Sequence, residues 1–211
     1  MPAPSLHVML YVYYPEVMMF CNLVSVMIIN NVKGSFIIRE ANVEDLPALV
    51  NIHVTSWNAT YSTYHPKPTH ALREHQWRKA FQDREDNWFC YVAQKQGGEI
   101  AGFATGNDFH DEELSYEGQL NKIHFLKEYQ RMGLGRVLVG CVVARFINKG
   151  FNSMILFADT GNPAIKFYDV LKGERLLDKE GTFLGAYGWK DLQVLFELCS
   201  SADSTNKGSV H

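Results

Sequence analysis

The stretch YQRMGLGR (residues 129–136) sets two glycines one residue apart between two arginines. A strand-like run, QLNKIHFL (residues 119–126), precedes it, and VLVGCVVARFINKG (residues 137–150) follows with a helical rhythm. A strand, a glycine turn and a helix N-terminus together make an anion site. The first amides of a helix lack internal partners, and the helix dipole leaves partial positive charge there. Gly133 and Gly135 let a diphosphate lie against the main chain, and Arg131 and Arg136 add charge. The same turn also suits plain tight packing of a strand on a helix, so the rest of the chain decides between the two readings.

The chain has 211 residues, 46% hydrophobic and 20% charged, enough for one sizeable core. A net charge of -3 offers no general attraction for nucleic acid. Cys21, Cys90, Cys141 and Cys199 are far apart and show no metal-ligand spacing. Cys90 and Cys141 sit in apolar runs and read as buried thiols, which fits a cytoplasmic protein. Residues 1–34 are apolar but lack the positive n-region of a secretory signal, and Pro15, Glu16, Asn22 and Ser25 interrupt them as a membrane span. They read as an N-terminal extension packed on the domain or on a partner subunit, or as upstream of a true start at Met27. Residues 200–211 are small and polar and read as a disordered tail.

Between these lies one α/β domain, residues 35–199. SFIIRE (residues 35–40) is a short strand. Asn42 and Asp45 form a capping-box pattern for a helix whose apolar face is Leu46, Leu49, Val50, His53, Val54 and Trp57. ALREHQWRKAFQ (residues 71–82) is a second helix. WFCYVAQ and EIAGFATG, joined through Gly97 and Gly98, form a hairpin. After the glycine turn come a helix ending at Gly150, the buried strand SMILFA (residues 153–158), and a helix with Asn162 as N-cap and Pro163 as its first residue. Runs around ERLLDKEGTFL and DLQVLFEL read as two closing strands. The order is β-α-α-β-β-β-α-β-α-β-β, with a mixed sheet.

No GxxxxGK[ST] occurs, which removes a nucleoside-triphosphate loop. A dinucleotide fingerprint GxGxxG is nearly present, with Asp159 as a possible ribose-binding acid. Its third position, however, is Leu138, and an antiparallel hairpin precedes it where a parallel βαβ unit belongs. QRMGLG is instead Q-x-x-G-x-G, which resembles the acyl-CoA pyrophosphate loop of the GNAT superfamily of N-acetyltransferases. FIIREANVEDLPALVNIHVTSW is similar to that superfamily's first strand and helix, GEIAGFATG to its third strand, and GNPAIKFYDVLKGERL to its final helix. The resemblance runs in the right order from about residue 35 to residue 198.

The resemblance implies a mixed, mostly antiparallel sheet of about six to seven strands flanked by helices. It implies acetyl-CoA as cosubstrate; no metal is expected, because the consecutive acids of residues 110–113 read as a solvated face. The main chain of Ile123 and Phe125 would pair with the pantetheine arm. Gln130, Arg131, Met132, Gly133, Leu134, Gly135 and Arg136 would form the pyrophosphate loop, with Asn162 near the cofactor. Tyr168 would protonate the departing thiolate, as a phenol of ordinary pKa near 10 can. Some members carry a glutamate where this chain has Gln119, and an amide cannot take a proton. Period-two geometry puts Glu117 on the same face, acting through a water as the base. Trp57, Tyr61 and Tyr64 would roof the acceptor mouth, while His53 reads as core.

HDEE (residues 110–113) reads as a solvated acidic loop that draws in cationic amines. The acceptor is expected to be a primary amine of a small molecule or of a protein or peptide. A non-catalytic acyl-CoA-binding regulatory module is the alternative, and the presence of Tyr168 weighs against it. An enzyme acetylating aminoacyl-tRNA would want a basic face that this chain lacks. Neither nucleic acid nor membrane is expected as a partner. The apolar extension and an uncovered last strand suggest a homodimer.

Overall fold

The computed structural model describes residues 27–31, 34–61, 63, 65–83 and 87–201. Tyr64, most of the N-terminal extension and nearly all of the polar tail therefore lie outside the described residues. The elements follow in order: β1 (Met27–Asn31), β2 (Gly34–Glu40), α1 (Leu46–Thr60), α2 (His70–Gln82), β3 (Trp88–Lys95), β4 (Ile100–Asp108) and β5 (Gly118–Phe125). Then come α3 (Leu134–Asn148), β6 (Met154–Phe157), α4 (Ile165–Val170), β7 (Glu174–Leu177), β8 (Phe183–Trp189) and α5 (Leu192–Ser200). Among the described residues, no helix is long and apolar enough to cross a membrane.

The strands form one eight-stranded sheet in the order β1-β2-β3-β4-β5-β6-β8-β7. Every neighbouring pair is antiparallel except β5 and β6. The fold class is as expected, with slightly more strands than the six or seven anticipated. The additional one is β1, which lies within the segment read as an extension and pairs Met27–Asn31 with Ile38–Gly34 of β2.

Side chains alternate between two apolar layers, as the period of a strand requires. Cys90, Val92, Ile100 and Phe103 join Leu46, Leu49, Val50, Ile52 and Trp77 beneath α1 and α2. Phe89, Ala93, Ala104 and Leu120 face the other way, toward Leu138, Val139, Val142 and Phe146 of α3 and Leu195 of α5. The sheet is thus covered on both faces.

The start of α1 is fixed by one ion pair. Arg39 on β2 donates from both terminal nitrogens to the Asp45 carboxylate, at 2.7 Å each. The same carboxylate accepts from Asn42 N at 2.9 Å, completing the capping box expected of Asn42 and Asp45. Burial alone would raise the Asp45 pKa, but the hydrogen bonds from Arg39 and Asn42 outweigh it and hold the carboxyl below its ordinary value.

Two closing elements differ from expectation. DLQVLFEL is helix α5, and FLGAYGW (Phe183–Trp189) is the strand. Asp191 accepts from Gln193 N at 2.9 Å and Val194 N at 3.1 Å as an N-cap, and Leu192, Leu195 and Cys199 share the buried face. The run is rich in residues that suit strand or helix alike, and the groove on α3 decides. One of the two surfaces that suggested a dimer is thereby removed, since this segment is not an uncovered strand. The helix after β6 also starts later than Pro163, with Ala164 at its N-cap position.

Asp45→Asn is expected to cost about 2 kcal/mol at neutral pH, because the guanidinium then loses its counter-charge. A depressed folded pKa stabilises above the unfolded value, about pH 4, and that contribution vanishes as pH falls below it. Chemical denaturation at pH 7 and pH 3 should therefore show the mutant's deficit shrinking on acidification. Asp191→Ala should lower stability by about 1 kcal/mol through loss of the helix cap; an unchanged denaturation midpoint would contradict that role.

Candidate active site

The site begins where the sheet comes apart. β5 and β6 pair in parallel at only two positions, Gly118 with Met154 and Gln119 with Ile155. β5 then continues to Phe125 bonded to β4 alone, while β6 stays with β8. The β4–β5 register shifts between Thr105 and Gly106, leaving Asn121 as the extra residue of a bulge. A wedge therefore opens between β5 and β6 beyond Gln119. Leu126 N donates to Ala101 O on β4 at 3.0 Å. Antiparallel alternation then directs the main-chain groups of Phe125 and Ile123 away from β4, into the wedge. Gly102 on β4 leaves room for the Phe125 ring, which would lie 2.2 Å from a Cβ there.

The glycine turn closes one end of the wedge. A 3-10 turn at Lys127–Tyr129 leads into it, and Tyr129 anchors it by a 2.6 Å hydrogen bond from its hydroxyl to Glu99. The Gln130 side-chain amide donates to Phe125 O at 3.3 Å. Arg131 and Gly133 take left-handed φ of 60° and 80°, and α3 starts immediately after. Gly133 is thus required by the turn itself. Gly135 is different. Its φ is not left-handed, and a Cβ there would meet only Phe167 at 3.5 Å and Phe125 at 3.8 Å, ordinary contact distances. Strand–helix packing does not explain that glycine. Leu134 is buried and Met132 packs beside it, so these two contribute anchoring side chains and leave their amides to the turn. Arg131 is exposed, and Arg136 reaches Ser201 O at 3.4 Å.

On the other side of the wedge, Asn162 holds the turn before α4. Its side-chain oxygen accepts from Ala164 N at 2.8 Å, while its amide donates to the Tyr61 hydroxyl at 3.0 Å. Capping and a position beside the site are both realised. Tyr61 packs against Trp57 with ring centroids 5.2 Å apart. Tyr168 is 5% exposed, its ring set between Phe167 and Tyr187 at 5.5 and 5.4 Å. Burial pushes its phenol above the ordinary value, with Tyr61 and Tyr187 adding to the shift, so it stays protonated at neutral pH. The structure brings Tyr61, Asn162 and Tyr168 together.

Glu117 is placed differently from expectation. Its Oε2 accepts from Asn152 N at 2.7 Å, Ser153 N at 3.1 Å and Ser153 Oγ at 3.2 Å. The carboxylate clamps the start of β6 to β5, at the closed end of the wedge. Gln119 accepts from Asn107 Nδ2 at 3.2 Å, Asn107 accepts from Asn121 at 2.8 Å, and Asn121 accepts from Lys122 Nζ at 2.7 Å. The acidic loop is also locally engaged, since Asp111 accepts from Glu113 N and Leu114 N at 2.9 Å each.

Residues not singled out from the sequence line the α1–α2 face of the wedge. His124 Nδ1 lies 2.8 Å from Ser56 Oγ, and its ring is 4.8 Å from that of His53. His53 is buried against Trp77 and Phe103, as its place on the apolar face of α1 suggested. Burial lowers His53 to about 2, with His124, Arg73 and Lys122 adding to it, and lowers His124 to about 4, with Lys122 and Arg73 adding to it, so both rings are neutral at physiological pH. Lys122 and Arg73 complete this wall. The signal available in sequence was the alternation along β5: where Ile123 and Phe125 face one side, Lys122 and His124 face the other.

This geometry has relatives. A family model described as "Acetyltransferase (GNAT) family" matches residues 46–171. The chain is 31% identical over 174 residues to the uncharacterised N-acetyltransferase YuaI of Bacillus subtilis, covering 76% of this chain and 96% of that one. It is 26% identical over 128 residues to the L-methionine sulfoximine/L-methionine sulfone acetyltransferase of Pseudomonas paraeruginosa, covering 60% of this chain and 73% of that one. The PaiA N-acetyltransferase of Thermoplasma acidophilum, solved with coenzyme A, shares the fold with a TM-score of 0.58 at 17% identity, over 74% of this chain and 98% of that one. A family match across most of the domain, laid on a split sheet and a glycine turn of this form, has one meaning: the chain is an acyltransferase and belongs to the GNAT family.

Proposed function

We propose that this protein transfers the acetyl group of acetyl-CoA to a primary amine of a small molecule or a peptide. The observation that carries the reading is the two-residue β5–β6 pairing, which leaves the edge of Ile123 and Phe125 without a strand partner beside a glycine turn that packing does not require. An extended pantetheine arm satisfies those main-chain groups as a further strand would, and the diphosphate meets the amides opening α3. Gln130, Arg131, Met132, Gly133, Leu134, Gly135 and Arg136 form that loop, the arginines adding charge, and Asn162 holds the turn facing it.

In this reading the amine nitrogen attacks the thioester carbonyl, whose oxygen is stabilised by backbone amides of β5. The nitrogen of the tetrahedral intermediate loses a proton to solvent, the C–S bond breaks, and Tyr168 gives its proton to the leaving sulfur and is reprotonated from solvent. Its hydroxyl makes no hydrogen bond among the described residues, so it is available to a ligand. Glu117 has a structural task in place of proton transfer, because its carboxylate holds Asn152 and Ser153. Trp57 and Tyr61 form part of the acceptor wall.

Gly135→Glu adds bulk and negative charge where the diphosphate lies. Since a Cβ is tolerated there, the mutant should fold while acetyl-CoA affinity drops at least tenfold; calorimetric titration giving wild-type affinity would remove the loop assignment. Tyr168→Phe keeps the ring and its packing. It should leave acetyl-CoA affinity and the melting temperature nearly unchanged while lowering kcat by about 10²- to 10⁴-fold. A stable mutant turning over at the wild-type rate, with chemistry rate-limiting, excludes the acid role.

A further inference from the structure

The wall opposite α3 carries positive charge that no carboxylate among the described residues neutralises. Arg73, in the first turn of α2, donates to Gln76 Oε1 at 2.8 Å, and its Nε is buried with no partner. Lys122, on β5 beside the bulge, donates only to the neutral Asn121 side chain at 2.7 Å. Among the described residues, neither cation meets a carboxylate. Both are partly buried, and burial followed by the proximity of Arg73 lowers the Lys122 pKa. Further buried polar atoms of this wall lack partners, namely His53 Nδ1 and Thr105 Oγ1. Thr105 is the register partner of Lys122. Desolvated like charges with orphaned donors are costly unless an anion completes them.

We propose that Arg73 and Lys122 receive the carboxylate of the acceptor, so that the amine acetylated here belongs to a small molecule of the amino-acid type. The inference rests on the acetyl-transfer reading above and names its substrate class. Lys122 is adjacent to Ile123, whose main chain faces the wedge. In an α-amino acid the amine and carboxylate share one carbon, so an acid held at Lys122 presents its nitrogen beside the thioester. A polyamine would bring positive charge against Arg73 and Lys122 and is disfavoured. The expectation that acids at the mouth attract cations is thereby reversed for this wall.

The test compares wild-type enzyme on free amino acids, their carboxamides and spermidine, reading acetyl-CoA-dependent thiol release. In parallel, the melting temperature of the protein–CoA complex is measured with each compound. Acids should be acetylated with kcat/KM at least tenfold above their amides, and only acids should stabilise the complex. Lys122→Gln and Arg73→Gln should each raise KM for the acid about tenfold or more and erase the preference over the amide, with Arg73→Lys partly restoring it. Amides or spermidine used as well as acids would overturn the carboxylate site and leave acetyl transfer standing. Acid-specific stabilisation without thiol release would support the carboxylate site and overturn the transfer reading. No acid-specific effect in either measurement overturns the inference.

Discussion

Two residue pairs of parallel sheet, Gly118 with Met154 and Gln119 with Ile155, hold the two halves of this protein together at the point where they part. The wedge between β5 and β6 exists because these pairs are so few. β5 belongs to the antiparallel half built on β4, and β6 to the half built on β8. Beyond the two pairs each strand follows its own neighbour. The clamp of Glu117 on Asn152 and Ser153 secures the closed end. The bulge at Asn121 turns β5 away, because an unpaired residue bends its strand and increases the local twist. Unpaired strand edges inside a sheet are normally a defect, and here they leave an open slot between β5 and β6.

The two faces of that slot are chemically unlike. Toward α3 lie Phe125, Phe167 and the opening amides of a helix, a combination suited to an apolar arm ending in phosphate. Toward α1 and α2 lie the Gln119–Asn107–Asn121 chain, two neutral histidines, and the cations Arg73 and Lys122. Alternation along β5 produces this division, since consecutive residues face opposite sides. Tyr168 is buried on the α3 side, within aromatic packing that a change of hydroxyl alone would not disturb.

Much of this was legible from local pattern. The Asn42 capping box, the hairpin around Gly97 and Gly98, and the strand–turn–helix around Gly133 each depend on residues within a few positions of one another. Local chemistry decides them: a side-chain cap, a left-handed φ, a period of two. Where local chemistry is ambivalent the reading failed. Residues 192–199 suit a strand as well as a helix, and only the Asp191 cap together with the α3 surface selects the helix. Residues 27–31 look like continued extension until β2 offers them an edge.

The sequence by itself determined the family and the glycine turn, because these are carried by short motifs with fixed spacing. Tertiary structure alone decided what the charged groups do. Period two assigns Glu117 to the face of a base, yet Glu117 precedes β5 and its carboxylate is taken by residues 35 and 36 positions away. Arg73 and Lys122 lie on different elements of the chain and become a pair only when α2 folds over β5. Coulomb interactions and hydrogen bonds act through space over a few ångströms and take no account of separation along the chain, so the partner of a charge is settled by the fold.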